Sequence, residues 1–238
     1  MRLSVRFPVS IAALATLALS FAPRALAQST ASPTAGNGTY VSTDPLAAVR
    51  YDNRWDVSLG MAYDHMKAGP VLLQGSNLGG LDLSASYWLS KHWAVEGNGR
   101  YYLGTSGAAP NLESINGPFV SEYFFTAGPE WLGPHNKHGA LIAHALVGGV
   151  YGNFEQDLRG NPSSAVGFYN NQAAVAAIVG GHMDLNRSAR WVFRISPDAV
   201  LTRYSTNYAP NAYTSAGHFN DVNFALSVGV EYKFHKKR

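Results

Sequence analysis

From Trp55 onward the chain consists of segments in which apolar and polar residues alternate with a period of two. In the last segment, the even-numbered positions from Val222 to Phe234 are all apolar or aromatic, and the odd-numbered positions between them are all polar or small. This period predicts β-strands, because successive side chains of a strand point to opposite faces. No segment keeps the 3.6-residue period of an amphipathic helix. The pattern therefore predicts an all-β protein with eight strands.

The connections between the predicted strands alternate between short and long. Short turns lie near 90–91, 133–138 and 186–189, and long polar loops lie at about 67–79, 104–117, 155–170 and 205–218. This alternation predicts an antiparallel up-and-down meander whose long loops all emerge at one end. The fifth and sixth segments, about 140–152 and 172–184, are rich in Ala, Gly and Val, so the sequence leaves their faces open.

The polar face of these strands has an unusual composition. It is dominated by Gly, Ala, Ser, Thr and Asn, and only 14% of the whole chain is charged, against roughly 25% in a typical soluble domain. That composition favours a crowded interior over a solvated surface. We therefore predict an eight-stranded antiparallel up-and-down transmembrane β-barrel with its apolar face toward lipid. A secreted soluble barrel stays open as the alternative.

Aromatic residues on the apolar face support a membrane barrel. The predicted strand directions place one aromatic group near the short-turn end: Trp55, Tyr87, Trp93, Trp131, Trp191, Tyr232 and Phe234. A second group lies near the long-loop end: Tyr63, Tyr101, Tyr123, Tyr151 and Phe224. Two aromatic bands separated by aliphatic residues are typical of the girdles at the two membrane interfaces.

The N-terminal region has the features of an export signal. Arg2 and Arg6 precede an apolar run that ends in Ala25-Leu26-Ala27, which predicts a signal peptide over 1–27. We expect a flexible leader over 28–53, a barrel over 54–235 and a basic tail over 236–238.

Charge and cysteine content exclude several classes of function. Signal removal takes three of the 18 basic residues and none of the 15 acidic ones, which leaves a formal charge of zero. No basic patch indicates nucleic-acid binding. The absence of cysteine excludes disulfides and Cys-based zinc sites.

The chain resembles the small bacterial outer-membrane proteins with an eight-stranded barrel of the OmpA/OmpX type. The resemblance rests on the rhythm of strands and loops, on Gly180-Gly181-His182-Met183-Asp184, on the segment 198–204 and on the terminal Tyr232-Lys233-Phe234. It implies a monomer in the outer membrane, in contact with lipid and lipopolysaccharide. It also implies that Tyr232 and Phe234 are the signal read by the outer-membrane assembly machinery. No peptidoglycan-binding domain is expected after the barrel.

Charged residues on the inward face are the candidate site. The lumen of an eight-stranded barrel is just wide enough for side chains, and a buried charge must be paired or hydrated. We predict a network near mid-height in which Arg100 and Arg194 neutralise Glu96 and Asp198, with His144 beside them. The network is interpreted as structural, with an ion gate as the alternative.

The sequence predicts a structural or surface-interaction role rather than catalysis. The alternatives are a narrow ion-conducting channel and an enzyme that modifies lipid A. The eight histidines are scattered along the chain, and no nucleophile stands next to a base. We therefore predict no metal, no cofactor and no catalytic residue.

Overall fold

The computed structural model describes residues 44–70, 72, 75–108, 114–206 and 217–234, without the side chains of 206 and 217–220. The predicted signal peptide, the first part of the leader and the basic tail lie outside the described residues. Within them the chain forms eight strands and a one-turn helix, α1 (Ser163–Val166). No helix in this part of the chain is long and apolar enough to cross a membrane.

The strands form one closed antiparallel sheet. They are β1 (Trp55–Met66), β2 (Ser76–Trp88), β3 (Trp93–Thr105), β4 (Phe119–His135), β5 (Gly139–Asn153), β6 (Gln172–Asn186), β7 (Trp191–Thr206) and β8 (Gly217–Phe234). Each strand pairs with the next along the chain, and β1 pairs with β8 in a register that runs from Trp55↔Phe234 to His65↔Phe224. The predicted eight-stranded up-and-down barrel is confirmed.

The alternation of the sequence becomes the two faces of the barrel wall. In β1, Leu59 and Met61 are about half exposed on the outside, whereas Ser58 and Asp64 are buried in the lumen. The outside is therefore apolar, whereas the inside holds the polar side chains together with buried apolar ones such as Leu146 and Ile178. A soluble barrel has the opposite arrangement, because its apolar residues form the core.

The same alternation settles the faces of β5 and β6. Val147 and Val175 are each 68% exposed on the outside. His144 in β5 and both His182 and Asp184 in β6 are buried and point inward. These inward positions bring the two histidines and Asp184 together with the other buried charged residues of the lumen.

Both predicted aromatic bands lie on the outside of the barrel. At the short-turn end, the tilted rings of Trp55 and Tyr87 lie 4.6 Å apart, and Tyr232 lies 4.9 Å from Trp191 and 4.8 Å from Phe234, all between ring centroids. Trp93 pairs with Trp131 across β3 and β4. At the loop end, Tyr101 stacks on Tyr123 at 4.8 Å, and Tyr123 pairs with Tyr151.

A group of aromatic residues closes the lumen at the loop end. These residues, which we call the loop-side core, are Tyr102, Phe124, Phe154, Phe168, Tyr169 and Tyr204. All are fully buried. Three of them come from the connection between β5 and β6, which folds inward over the barrel. The backbone N–H of Tyr169 donates to the carbonyl oxygen of Ala68 at 3.0 Å and so joins two long loops.

The last residues of the predicted leader lie against the short-turn end. The Tyr51 hydroxyl donates to the carbonyl oxygen of Asn136 at 3.0 Å and accepts from Asn186 Nδ2 at 2.8 Å. The Lys233 ammonium lies 4.5 Å from the centre of the Tyr51 ring. Burial raises the pKa of the Tyr51 hydroxyl. Tyr51, near the end of the predicted leader, is therefore held against the barrel by several contacts.

Candidate functional site

A connected set of charged side chains crosses the lumen at mid-height. Arg100 Nη2 donates to Asp198 Oδ2 at 2.5 Å. His144 lies between two carboxylates, with Nε2 at 3.0 Å from Asp198 Oδ1 and Nδ1 at 2.7 Å from Glu96 Oε2. We call this set the central cluster, and its members are Asp82, Glu96, Arg100, His144, His182 and Asp198.

Neighbouring strands hold Arg100 in place. Asp82 is its cross-strand partner on β2, with Oδ2 at 3.4 Å from Arg100 Nε. Asn98 accepts from Arg100 Nε at 3.1 Å and donates to the other oxygen of Asp82 at 2.7 Å. The guanidinium therefore binds carboxylates on two sides of the lumen, Asp82 next to it and Asp198 across from it.

Gly180 creates the space in which Asp198 and His144 meet. It is the cross-strand partner of His144 on one side and of Asp198 on the other. A Cβ at this position would lie 2.0 Å from Asp198 Oδ1, closer than two non-bonded heavy atoms can approach. The absence of a side chain at Gly180 is thus what allows the carboxylate to sit against the wall and reach the imidazole.

The sequence did not predict Asp82 as a member of the central cluster, and it did not predict His182. Its Nε2 lies 3.2 Å from Glu96 Oε2, and its Nδ1 lies 2.7 Å from Ser196 Oγ. The rings of His144 and His182 meet edge to face at 4.5 Å between centroids. The eight histidines are scattered along the sequence, but the fold brings this pair together. They lie on adjacent antiparallel strands but far apart in the sequence. The sequence also does not determine which residues of β6 point into the lumen.

Arg194 does not belong to the central cluster. It donates to both oxygens of Asp184, at 2.8 and 3.0 Å, and forms an ion pair with Glu231. We call Asp184, Arg194, Glu231 and Lys233 the turn-side cluster. The predicted pairing of Arg194 with Glu96 or Asp198 is therefore wrong. Asp184 is the direct cross-strand neighbour of Arg194, and a neighbour on the wall is closer than a residue across the lumen.

The lumen contains many more carboxylates than cations. Nine carboxylates are buried among the described residues: Asp56, Asp64, Asp82, Glu96, Glu122, Glu130, Asp184, Asp198 and Glu231. Only Arg100, Arg194 and Lys233 are buried cations, with His144 and His182 as the buried histidines. The described part of the lumen thus favours positive charge, from protons, side chains or bound cations.

Serine, histidine and carboxylate also meet in this lumen, as Ser196, His182 and Glu96. A hydrolase needs its serine next to a space that admits the substrate. Ser196 is buried, and the cavity beside it has a volume of about 10 Å³, which holds at most one water molecule. At the loop end, the exposed His65 contacts Asn77 rather than a serine, with Nδ1 at 2.8 Å from Oδ1. Neither arrangement supports hydrolysis.

Solved structures with the same fold are outer-membrane barrels. Neisserial surface protein A is 16% identical, with 76% of this chain and 97% of that chain covered, at a TM-score of 0.51. OprG of Pseudomonas aeruginosa is 11% identical, with 79% and 99% covered and a TM-score of 0.49. Ail of Yersinia pestis is 18% identical, with 77% and 99% covered and a TM-score of 0.45. At these identities the likeness shows the fold alone.

Comparison of the sequence with known proteins identifies no relative. No protein-family model matches the chain, and no curated protein matches it significantly. The chain therefore has the fold of the small eight-stranded outer-membrane barrels, as the sequence resemblance implied. The fold alone does not determine its role.

The turn-side cluster generates a stability prediction. Arg194→Ala leaves Asp184 and Glu231 without their shared cation, and removing one partner of a buried ion pair costs about 3–5 kcal/mol. We expect the variant to lose its folded gel mobility in detergent at a lower temperature than the wild type. Arg190→Ala is the matched control, because Arg190 is exposed in the preceding turn and its guanidinium donates to the Tyr232 hydroxyl, at 3.2 Å, rather than to a buried carboxylate. Equal unfolding temperatures for Arg194→Ala and Arg190→Ala would contradict the role of this cluster.

Proposed function

We propose that the protein is an integral outer-membrane barrel with a closed lumen, and that it acts at its loop end in a structural or surface-interaction role. The observation that carries this proposal is the reversed distribution of polarity, with apolar side chains outside and paired charges inside. Such a barrel is stable only where its outside is removed from water. The two aromatic bands then lie at the two interfaces of the membrane.

The filled lumen argues against an open pore. The loop-side core closes one end, the central cluster crosses the middle, and the turn-side cluster lies toward the other end. Beside the central cluster, between β1, β2, β6, β7 and β8, lies a cavity of about 10 Å³, which holds at most one water molecule. A wide diffusion pore needs a continuous water-filled path, which larger barrels provide.

The long loops are joined by hydrogen bonds into an ordered surface, which supports a binding role. The backbone N–H of Phe119 donates to Asp157 Oδ2 at 3.1 Å, so the loop before β4 is joined to the loop after β5. A cleft of about 440 Å³ lies between residues 115–118 and 156–159. Its lining mixes apolar Ile115 and Pro118 with polar Gln156 and charged Arg159, a mixture that suits contact with a polar surface partner.

The carboxylate-rich lumen favours one alternative, a narrow channel for cations. A cation channel uses rings of Asp and Glu, and this lumen has such residues at every level. Passage requires the Arg100–Asp198 and Arg194–Asp184 pairs to separate, so the closed barrel remains our primary proposal. An enzyme that modifies lipid A receives no support from the described residues, because no accessible nucleophile stands next to a base.

The partners follow from this assignment and belong to the same proposal. The outside contacts lipid and lipopolysaccharide, and the assembly machinery recognises β8, which ends at Phe234 with Tyr232 on the same face. We propose a monomer, because closure of β1 on β8 leaves no free sheet edge to pair with a second chain.

Membrane embedding predicts a depth-dependent effect of arginine. Leu83 lies on the outside at mid-height and is 53% exposed, whereas Leu89 lies in the turn beyond Tyr87 and is 65% exposed. An arginine costs about 2–4 kcal/mol at the bilayer midplane and about 0–1 near an interface. We therefore expect Leu83→Arg to reduce the folded protein in the outer-membrane fraction, and Leu89→Arg to leave it unchanged. Equal yields of folded membrane protein from the two variants would argue against embedding.

Orientation is tested with single cysteines in a chain that has none of its own. Ser164 is exposed in α1 at the loop end, and Lys91 is exposed in the turn between β2 and β3. With the loops outside the cell, an impermeant thiol reagent added to intact cells labels Ser164→Cys and does not label Lys91→Cys. Lysed cells serve as the control in which both react. The reverse pattern on intact cells would invert the orientation and remove the proposed binding surface.

A further inference from the structure

We propose that Glu96, His144 and His182 form a binding site for one divalent transition-metal ion of the Zn²⁺ class inside the lumen. The three side chains come from β3, β5 and β6, so a bound ion would join three strands of the wall. This inference is independent of the role proposed above, because it concerns the lumen and not the loops.

The positions of the ligand atoms carry the proposal. One nitrogen from each histidine and one carboxylate oxygen lie within 4.8 Å of one another. His144 Nδ1 and His182 Nε2 both face Glu96 Oε2, at 2.7 and 3.2 Å. With metal–ligand bonds near 2.1 Å, tetrahedral zinc separates its ligand atoms by about 3.4 Å. Side-chain shifts of less than about 1 Å therefore convert the hydrogen-bonded arrangement into a coordinated one.

The other nitrogen of each histidine has the partner that a metal ligand needs. A ligating histidine usually donates its second ring N–H to an oxygen, which fixes the tautomer and the orientation of the ring. His144 Nε2 lies 3.0 Å from Asp198 Oδ1, and His182 Nδ1 lies 2.7 Å from Ser196 Oγ. Asp198 is held in turn by Arg100. The imidazoles are therefore held with their remaining nitrogens, His144 Nδ1 and His182 Nε2, toward Glu96.

The charge of the central cluster also fits a divalent ion. Asp82, Glu96 and Asp198 carry three negative charges when ionised, and Arg100 is the only permanent cation among them. With both histidines neutral, as metal ligation requires, two negative charges remain, and a divalent ion compensates them. In addition, Glu96 Oε1 is buried without a hydrogen-bond partner among the described residues. This second oxygen is available for coordination.

The donor set selects the class of metal. Two imidazoles and one carboxylate suit Zn²⁺ and related transition metals, whereas Ca²⁺ and Mg²⁺ prefer six or more oxygen ligands. The space beside His182 admits at most one water, so the site provides three protein ligands and little solvent. A site of this kind retains its metal and stabilises the fold rather than exposing it to a substrate.

The experiment measures metal retained by the full chain, extracted folded from the outer membrane in mild detergent. After incubation with Zn²⁺ and removal of free metal, elemental analysis should give about one ion per chain. An excess of Ca²⁺ or Mg²⁺ should not displace it. His144→Gln and His182→Gln should each weaken Zn²⁺ binding at least tenfold. Ser196→Ala should weaken it by about tenfold, because it removes the oxygen that orients His182.

The matched control removes the other close histidine pair, on the surface. The rings of His92 and His135 lie 6.4 Å apart at the short-turn end. His92→Gln with His135→Gln should leave the retained zinc unchanged. Retention that depends on this surface pair and not on His144 and His182 would overturn the proposal.

Cobalt provides a readout that needs no variant to fold. The wild-type protein loaded with Co²⁺ should develop the intense visible absorption of a four-coordinate site with nitrogen ligands, and added Zn²⁺ should abolish it. A wild-type protein that retains no Zn²⁺ and develops no such absorption would overturn the proposal, whatever the variants do. Retention of Ca²⁺ in preference to Zn²⁺ would also overturn it.

Discussion

The narrow lumen of an eight-stranded barrel is the constraint on which the rest of this structure depends. With room only for side chains, a buried inward arginine has to find its carboxylate partners on other inward positions. Arg100 does so with Asp82 and Asp198, and Arg194 with Asp184 and Glu231. Gly180 also makes this pairing possible, because the lack of a side chain there lets the Asp198 carboxylate lie against the barrel wall. At mid-height in the lumen, the polar residues thus take the place of the apolar core of a soluble protein.

The outside of the barrel follows from the same arrangement. Once the polar face is turned inward, the apolar face of every strand is exposed, and this is stable only in a lipid environment. The loops then complete the closure at one end, since the aromatic residues of the connection after β5 pack down into the lumen. In this account the protein presents a structured surface at the loop end and a sealed interior below it. The proposed metal site would reinforce that seal by joining three strands.

Most of the architecture could be predicted from the sequence, because a period of two is a strong signal when one face is apolar. In β8 the alternation from Asp221 to Phe234 determines the strand and both faces. The turn and loop lengths determine the order of the strands. The aromatic bands also follow, since cross-strand pairs such as Trp93 and Trp131 depend only on register.

The lumen could be predicted only in part. The alternation predicts that Glu96, Arg100, Arg194 and Asp198 point inward, and they do. Which of them form ion pairs depends on how the strands are staggered against one another, and the alternation does not determine this stagger. The Ala- and Gly-rich β6 was the weakest point, because its two faces are nearly alike in polarity. His182 and Asp184 were therefore overlooked, and with them the histidine pair and the partner of Arg194. The packing of Tyr51 was missed because a single aromatic residue gives no periodic signal.

Ion conductance of the wild-type protein in a planar bilayer tests the central claim, a closed lumen, most directly. With the paired charges in place across the lumen, we expect the current to remain at the baseline of the lipid alone at moderate voltage in potassium chloride. Incorporation is verified separately by protease protection of the loops in the same lipid. A steady, cation-selective unit conductance from the folded protein would contradict the account, and it would make the carboxylate-lined lumen a channel.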